Sequence, residues 1–251
     1  MTGPILILGG TGEARALAAR LVADDADVVS SLAGRVQNPR LPDGEVRIGG
    51  FGGIDGLVAW LREHRPAAVV DATHPFARQI SANAVAATDA AGVPLLRLLR
   101  PAWVPRRDDR WTTVADIDEA AKAVGAAGAA RVLLTTGRQD AGAFARLRSP
   151  WFLIRVVDPP TGPLPPRHEV LRSRGPYGLD DERELLRDNE IDVLVTKNSG
   201  GELTRAKLDA ARELSVPVVM VARPAETASR IVATVDEAVA WLKSAGRSDA
   251  G

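Results

Sequence analysis

ILILGGTGEARALAARL, from Ile5 to Leu21, is the stretch whose reading decides the fold. Four aliphatic residues run into Gly9 and Gly10, and a helical pattern with Leu17 and Leu21 on one face begins almost at once. Strand, glycine-rich turn and helix in that order are the context of a dinucleotide-binding βαβ unit. Gly10 and Gly12 supply G-x-G, but Arg15 stands where the third glycine would be. The chemistry still works: Gly9, Gly10 and Gly12 let backbone N–H groups approach a phosphate, and the helix N-terminus favours its negative charge. Thr11 can donate to a phosphate oxygen. A tight βα turn that holds no ligand is the alternative.

The next apolar run tests the cofactor. An NAD site expects Asp or Glu at the end of that strand to hold the ribose 2′-hydroxyl. Here the residues are VVSSLAGR, Val28 to Arg35, with no acid among them. Ser31 is a small donor and Arg35 can pair with a 2′-phosphate, so NADPH is expected over NADH. Arg35 as a solvated loop residue is the competing reading.

The same grammar continues outward. Short Val/Ile/Leu runs at Ile5–Leu8, Val28–Ser31, Ala68–Val70, Leu95–Leu98, Val132–Leu134, Phe152–Val157, Ile191–Val195 and Val218–Val221 alternate with helical segments. Continuous apolar runs suit strands covered on both faces, hence parallel sheets in an α/β protein. The plan is also used twice. GVPLLRLLRP (92–101) matches SVPVVMVARP (215–224), and without a gap Thr73-His74 falls on Thr196-Lys197. GFGGID (50–55) resembles GPYGLD (175–180), and Leu17-Ala18 resembles Phe144-Ala145. The reading is two Rossmann-like parallel-sheet domains of similar topology facing each other across a cleft. The N-terminal, cofactor-binding domain is placed at 1–103 and the C-terminal, substrate-binding domain at 104–251, with the last segment able to pack back on the first domain. The proline-rich DPPTGPLPPRHE (158–169) reads as a loop beside a site.

Composition narrows the function. The 32 basic and 32 acidic residues cancel, which leaves no basic footprint for nucleic acid. There is no cysteine, and the three histidines are far apart, so no metal site is expected. No run is long enough to span a membrane, and a soluble cytoplasmic monomer is expected.

Four turns carry the candidate chemistry: DATHPFA (71–77), TTGR (135–138), RGPYG (174–178) and VTKNSGG (195–201). The lysine in the last is notable, because the chain has only four lysines among its 32 basic residues. An ammonium can carry a charge or give up a proton, whereas a guanidinium is always charged. Lys197 and His74 are therefore the candidate catalytic residues, with water a third source of the proton. Arg97, Arg100 and Arg223, on or just after the repeated last strands, suit a substrate with several carboxylates.

Together GGTGEAR, SLAGR, GGFGG, DATHPFA, RLLRPAW, TTGR, RGPYG and VTKNSGG resemble the precorrin-6A reductase family of cobalamin biosynthesis, over about Ile5 to Pro224. The resemblance implies a two-domain enzyme that uses NADPH to reduce a double bond of the anionic tetrapyrrole precorrin-6A, giving precorrin-6B. On that basis Gly9, Gly10, Thr11, Gly12, Glu13, Ala14, Ser31, Arg35 and Thr73 look like cofactor residues. Thr136, Gly137, Asn198, Ser199, Gly200, Arg100 and Arg223 look like substrate residues, beside Lys197 and His74. Tyr177 departs from the phenylalanine expected there. Two other classes compete, a nucleotide-sugar glycosyltransferase and a non-catalytic NADP(H)-binding module. A short-chain dehydrogenase fails, because Tyr177 lacks a lysine four residues on.

Overall fold

The computed structural model describes residues 3–34 and 40–248. It divides into two units, Met1–Pro101 with Pro224–Gly251, and Ala102–Arg223. The sequence places the boundary at 103/104 and leaves the last segment able to pack back on the first domain; in the structure the units meet at Pro101/Ala102, and the segment from Pro224 belongs to the first unit.

The first unit opens with β1 (Ile5–Leu8), α1 (Gly12–Ala23), β2 (Val28–Leu32), β3 (Glu45–Ile48), α2 (Ile54–His64), β4 (Ala68–Asp71), α3 (Arg78–Ala91) and β5 (Leu95–Leu98). The second unit holds β6 (Trp111–Val114), α4 (Ile117–Ala126), β7 (Arg131–Leu134), β8 (Trp151–Val156), β9 (His168–Arg172), α5 (Leu179–Asp188), β10 (Val193–Lys197), α6 (Ala206–Glu213) and β11 (Val218–Val221). The chain then re-enters the first unit with β12 (Ile231–Val232) and α7 (Val235–Ser248).

Each unit has one six-stranded sheet, ordered β12-β5-β4-β1-β2-β3 and β6-β11-β10-β7-β8-β9. Every pairing is parallel. The two orders are the same plan, with β7 in the place of β1 and β11 in the place of β5. One position differs in connectivity. The strand that follows β5 in the chain lies in the second sheet, and the strand that follows β11 lies in the first. The halves have exchanged their sixth strands.

Both faces of the first sheet are covered, as the unbroken apolar strands require. Ile5, Ile7, Val28, Val70 and Leu96 pack with Leu17 and Leu21 of α1 and Ala238, Val239 and Leu242 of α7. Leu6, Leu8, Val29 and Val69 pack with Leu57 and Leu61 of α2 and Ala84 and Ala87 of α3. In the second unit Leu133, Leu153, Leu194 and Met220 meet Leu186 of α5 and Leu208 of α6. Among the described residues no helix is long and apolar enough to cross a membrane.

The ladders correct the repeat alignment. Val69 N–H donates to Pro94 O and Leu194 N–H to Pro217 O, so with the last strands in step Val69 corresponds to Leu194. Asp71, which pairs with Arg97, then corresponds to Thr196, which pairs with Met220. Lys197 stands where Ala72 stands, and the counterpart of His74 is Ser199. The ungapped match between His74 and Lys197 slips by two residues, because the connections that follow β4 and β10 differ in length.

Candidate functional site

In open parallel sheets the strand ends and the first turns of the helices that follow form the ligand-binding edge. In the first unit that edge is built around the turn after β1. Gly10 has φ +112°, and a Cβ there would meet nothing within 4 Å. The backbone is thus bare on its outer side at the point where α1 presents its first unpaired N–H groups. Gly9 lies deeper: its N–H donates to Ser31 O, and a Cβ would lie 3.4 Å from Leu32 Cδ2. This cradle fits a dinucleotide pyrophosphate.

Thr11 differs from its expected role. Its hydroxyl donates to Ala72 O at 2.7 Å and accepts from Ala14 N–H at 3.1 Å. The proton expected to reach a phosphate is committed to the end of β4, and the oxygen caps α1. Glu13 pairs with Arg100 at 2.8 Å, which draws that arginine to the helix start. Ser31, the last residue but one of β2, is buried, with Arg47 Nη1 3.5 Å from its Oγ. Arg35 lies outside the described residues.

The DATHPFA turn is held from below. Arg97, 1% exposed, makes a 2.9 Å ion pair with Asp71 and donates to the carbonyls of Asp71 and Thr73. Its Nε donates to Glu226 at 3.2 Å. Asp71 in turn accepts from the Thr73 backbone N–H and hydroxyl. Arg97 was expected to suit substrate carboxylates; instead it is buried against Asp71, and the pair sets the shape of the loop. His74 projects from that loop, exposed, and its Nδ1 accepts from Phe76 N–H at 3.2 Å. An accepting Nδ1 puts the proton of the neutral ring on Nε2.

In the second unit the turn after β7 repeats the turn after β1. Gly137, the counterpart of Gly10, has φ +99° and an equally open Cβ position. Thr136 is buried, and its Oγ1 has no hydrogen-bond partner among the described residues. Lys197 ends β10, and its Nζ lies 2.5 Å from Asp140 Oδ2. A cavity of about 410 Å³ adjoins this turn, lined by Arg138, Gln139 and Gly142 on one side and by Pro160 to Pro163 on the other. The proline-rich segment therefore borders a cavity.

Asn198 departs from its expected part. Its Oδ1 accepts from Trp103 N–H at 2.8 Å and its Nδ2 donates to Trp103 O at 3.0 Å, while Trp103 Nε1 donates to Gly201 O. Asn198 locks the loop to the chain rather than pointing outward. Arg223 acts likewise, through Nε to Asn198 O and Nη2 to Ser199 O. Gly200 turns the loop at φ +68°. Sequence reasoning missed Asp140 and Arg47. Asp140 follows TTGR by two residues, and a carboxylate there was the available signal for a partner to Lys197.

Among the described residues no group of three His, Cys, Asp or Glu side chains gathers that could hold a metal ion.

The chain matches the family described as precorrin-6x reductase CbiJ/CobK over residues 4–243. It is 54% identical over 240 residues to the precorrin-6A reductase of Rhodococcus erythropolis, across 95% of this chain and 96% of that one. It is 32% identical over 238 residues to the cobalt-precorrin-6A reductase of Salmonella typhimurium, across 88% of each. A solved structure of CobK precorrin-6A reductase, 44% identical, superposes with a TM-score of 0.91 over 98% of both chains.

Proposed function

The chain belongs to the precorrin-6x reductase CbiJ/CobK family, and from that premise we propose that it reduces precorrin-6A, in its metal-free form, with NADPH. The reaction is a step of cobalamin biosynthesis. One hydride and one proton add across a macrocycle double bond, so precorrin-6A, NADPH and a proton give precorrin-6B and NADP⁺. The observation that carries the reading is the 54% identity along nearly the whole of both chains. The metal-free substrate is favoured because relatives named for the cobalt substrate are less similar, at 28–32% identity.

The dinucleotide, when bound, supplies the hydride; the residues do the rest. The glycine turn at Gly9, Gly10 and Gly12 and the first N–H groups of α1 hold its pyrophosphate, with Glu13 and Ala14 in the same turn and Thr11 keeping that turn in shape. Thr73 fixes the loop that carries His74. In the second unit Lys197 brings an ammonium held by Asp140, and Arg138 brings a guanidinium to the cavity beside it. Such cations suit the acetate and propionate groups of a tetrapyrrole. Lys197 is the first candidate for the proton and the Nε2–H of His74 the second. Thr136, Gly137, Ser199 and Gly200 shape the surface on which the macrocycle rests.

The test is NADPH oxidation followed at its absorbance band with metal-free precorrin-6A, against arms with NADH and with the cobalt substrate. Substrate-dependent oxidation selective for NADPH supports the proposal. NADPH binding without oxidation by either substrate would replace it with the non-catalytic binding module.

A further inference from the structure

The chain passes between its two units twice, at Pro101/Ala102 and at Arg223/Pro224. Both passages are fastened to the same loop, the NSGG turn (198–201) that follows Lys197. On the way in, Asn198 grips Trp103 at its backbone N–H and at its carbonyl, and the indole Nε1 donates to Gly201 O at 2.9 Å. On the way out, Arg223 donates from Nε to Asn198 O at 2.8 Å and from Nη2 to Ser199 O at 2.9 Å. Three carbonyls of the turn and both ends of the Asn198 amide are thus taken by residues at the two passages.

Those residues are fixed posts. Trp103 is 5% exposed, too deep to touch a ligand, and it packs with Leu133, Leu194 and Leu208. Each passage is also fastened three residues away on its first-unit side, where Arg100 pairs with Glu13 at 2.8 Å and Glu226 accepts from Arg97 at 3.2 Å. The turn has little shape of its own, since Gly200 and Gly201 sit at φ +68° and +78° in a region that glycine enters freely. It is coupled directly to Lys197, whose carbonyl accepts from Ser199 N–H at 2.7 Å. Whatever holds the turn therefore sets where the Lys197 ammonium points.

We infer that Trp103 and Arg223 are positioning residues for Lys197: they fix the turn behind it so that its ammonium stays on Asp140 and within reach of the substrate. This rests on the proposed part of Lys197 in the reduction.

The experiment compares the wild type with Trp103→Phe, which keeps an aromatic ring but removes the indole donor, and with Arg223→Met, which removes two donors. Trace acetylation with acetic anhydride, read by mass spectrometry, reports Lys197 against the exposed Lys122 and Lys243. Losing one such hydrogen bond corresponds to about 3–10-fold, so labelling of Lys197 should rise by that factor in either variant while the two reference lysines stay unchanged. With NADPH and precorrin-6A, kcat should fall by about 3–100-fold and KM should stay within about 3-fold, as misplacement of a reacting group implies. Unchanged labelling of Lys197 overturns the inference. A rise shared by all three lysines also overturns it, because Trp103 and Arg223 would then only hold the fold. So does a raised KM with kcat kept, which would mark Arg223 as a substrate contact. If Lys197→Ala keeps the wild-type kcat, the proposed part of Lys197 is lost and the inference with it, whatever the labelling shows, which separates the two failures.

Discussion

At the scale of single residues, the 2.5 Å pair of Lys197 and Asp140 separates two roles that a lysine can play. If Lys197 supplies the proton, Lys197→Arg keeps the charge but loses the transfer. The expected result is a kcat reduced roughly 100–10,000-fold with KM little changed, the range of general acid catalysis. If Lys197 only attracts carboxylates, the arginine variant keeps most of kcat and Lys197→Ala raises KM instead. Steady-state kinetics on the two variants decides between them. Asp140→Asn removes the partner that orients the ammonium, and a smaller fall in kcat is expected there than in Lys197→Ala. His74→Ala is expected to leave more activity than Lys197→Ala, since the ladder register removes the correspondence that linked the two. Measuring the variants side by side checks this.

Individual elements show why some of the design could be read and some could not. The apolar runs found in the sequence are the eight inner strands of the two sheets, apart from small differences at their ends. The four strands that gave no signal are β3, β6, β9 and β12, which are the four sheet edges. An edge strand is half-exposed and needs no continuous apolar run; EVRI and WTTV bury no residue fully. Arg97 escaped for a related reason: a charged side chain in a strand reads as a surface residue, and its burial becomes intelligible only beside Asp71 and Glu226. The same network yields a prediction. Arg97→Met leaves a buried carboxylate uncompensated, and a loss of about 3–5 kcal/mol is expected, read from urea unfolding. Replacing Asp71 with Asn in the same chain should recover part of that loss.

The returning helix makes a second prediction at this scale. Thr234 and Glu237 cap α7 reciprocally, with Glu237 accepting from the backbone N–H groups of Ala233 and Thr234. Those bonds hold the Glu237 carboxyl below its ordinary value. A hydrogen bond and charge from Lys243 do the same for Asp24 at the end of α1. A carboxylate with a depressed folded-state pKa contributes stability above its unfolded pKa and loses it as the pH falls through the folded one. Acidification from the ordinary carboxylate range downward should therefore weaken the docking of α7. A thermal midpoint that drops less steeply with pH in Asp24→Asn/Glu237→Gln than in the wild type is the expected observation.

Over the whole molecule, the duplication was legible because last strands such as LLRL and VVMV keep their pattern and spacing. The exchange of sixth strands was not, because two residues, Ile231 and Val232, make the whole of β12 and carry no distinguishing composition. The packing of α7 shows how much depends on that short return: Ala238, Val239 and Leu242 complete the α1 face of the first core. Truncation after Arg223 should leave a chain that cannot bind NADPH and exposes apolar surface. Dye binding and cofactor titration of the truncated chain would check this.

The interrupted first unit also sets a timetable during synthesis. A ribosome that has made β1 to β5 has not yet made the strand that closes their sheet, and it must translate all of Ala102–Arg223 before it can. At about 5–20 residues per second that is a wait of roughly 6–25 seconds. Meanwhile every strand of the second sheet, β6 to β11, emerges in one uninterrupted stretch. The half translated second is the first able to finish folding, and the half translated first waits for β12 and α7, which are made only after its neighbour is whole.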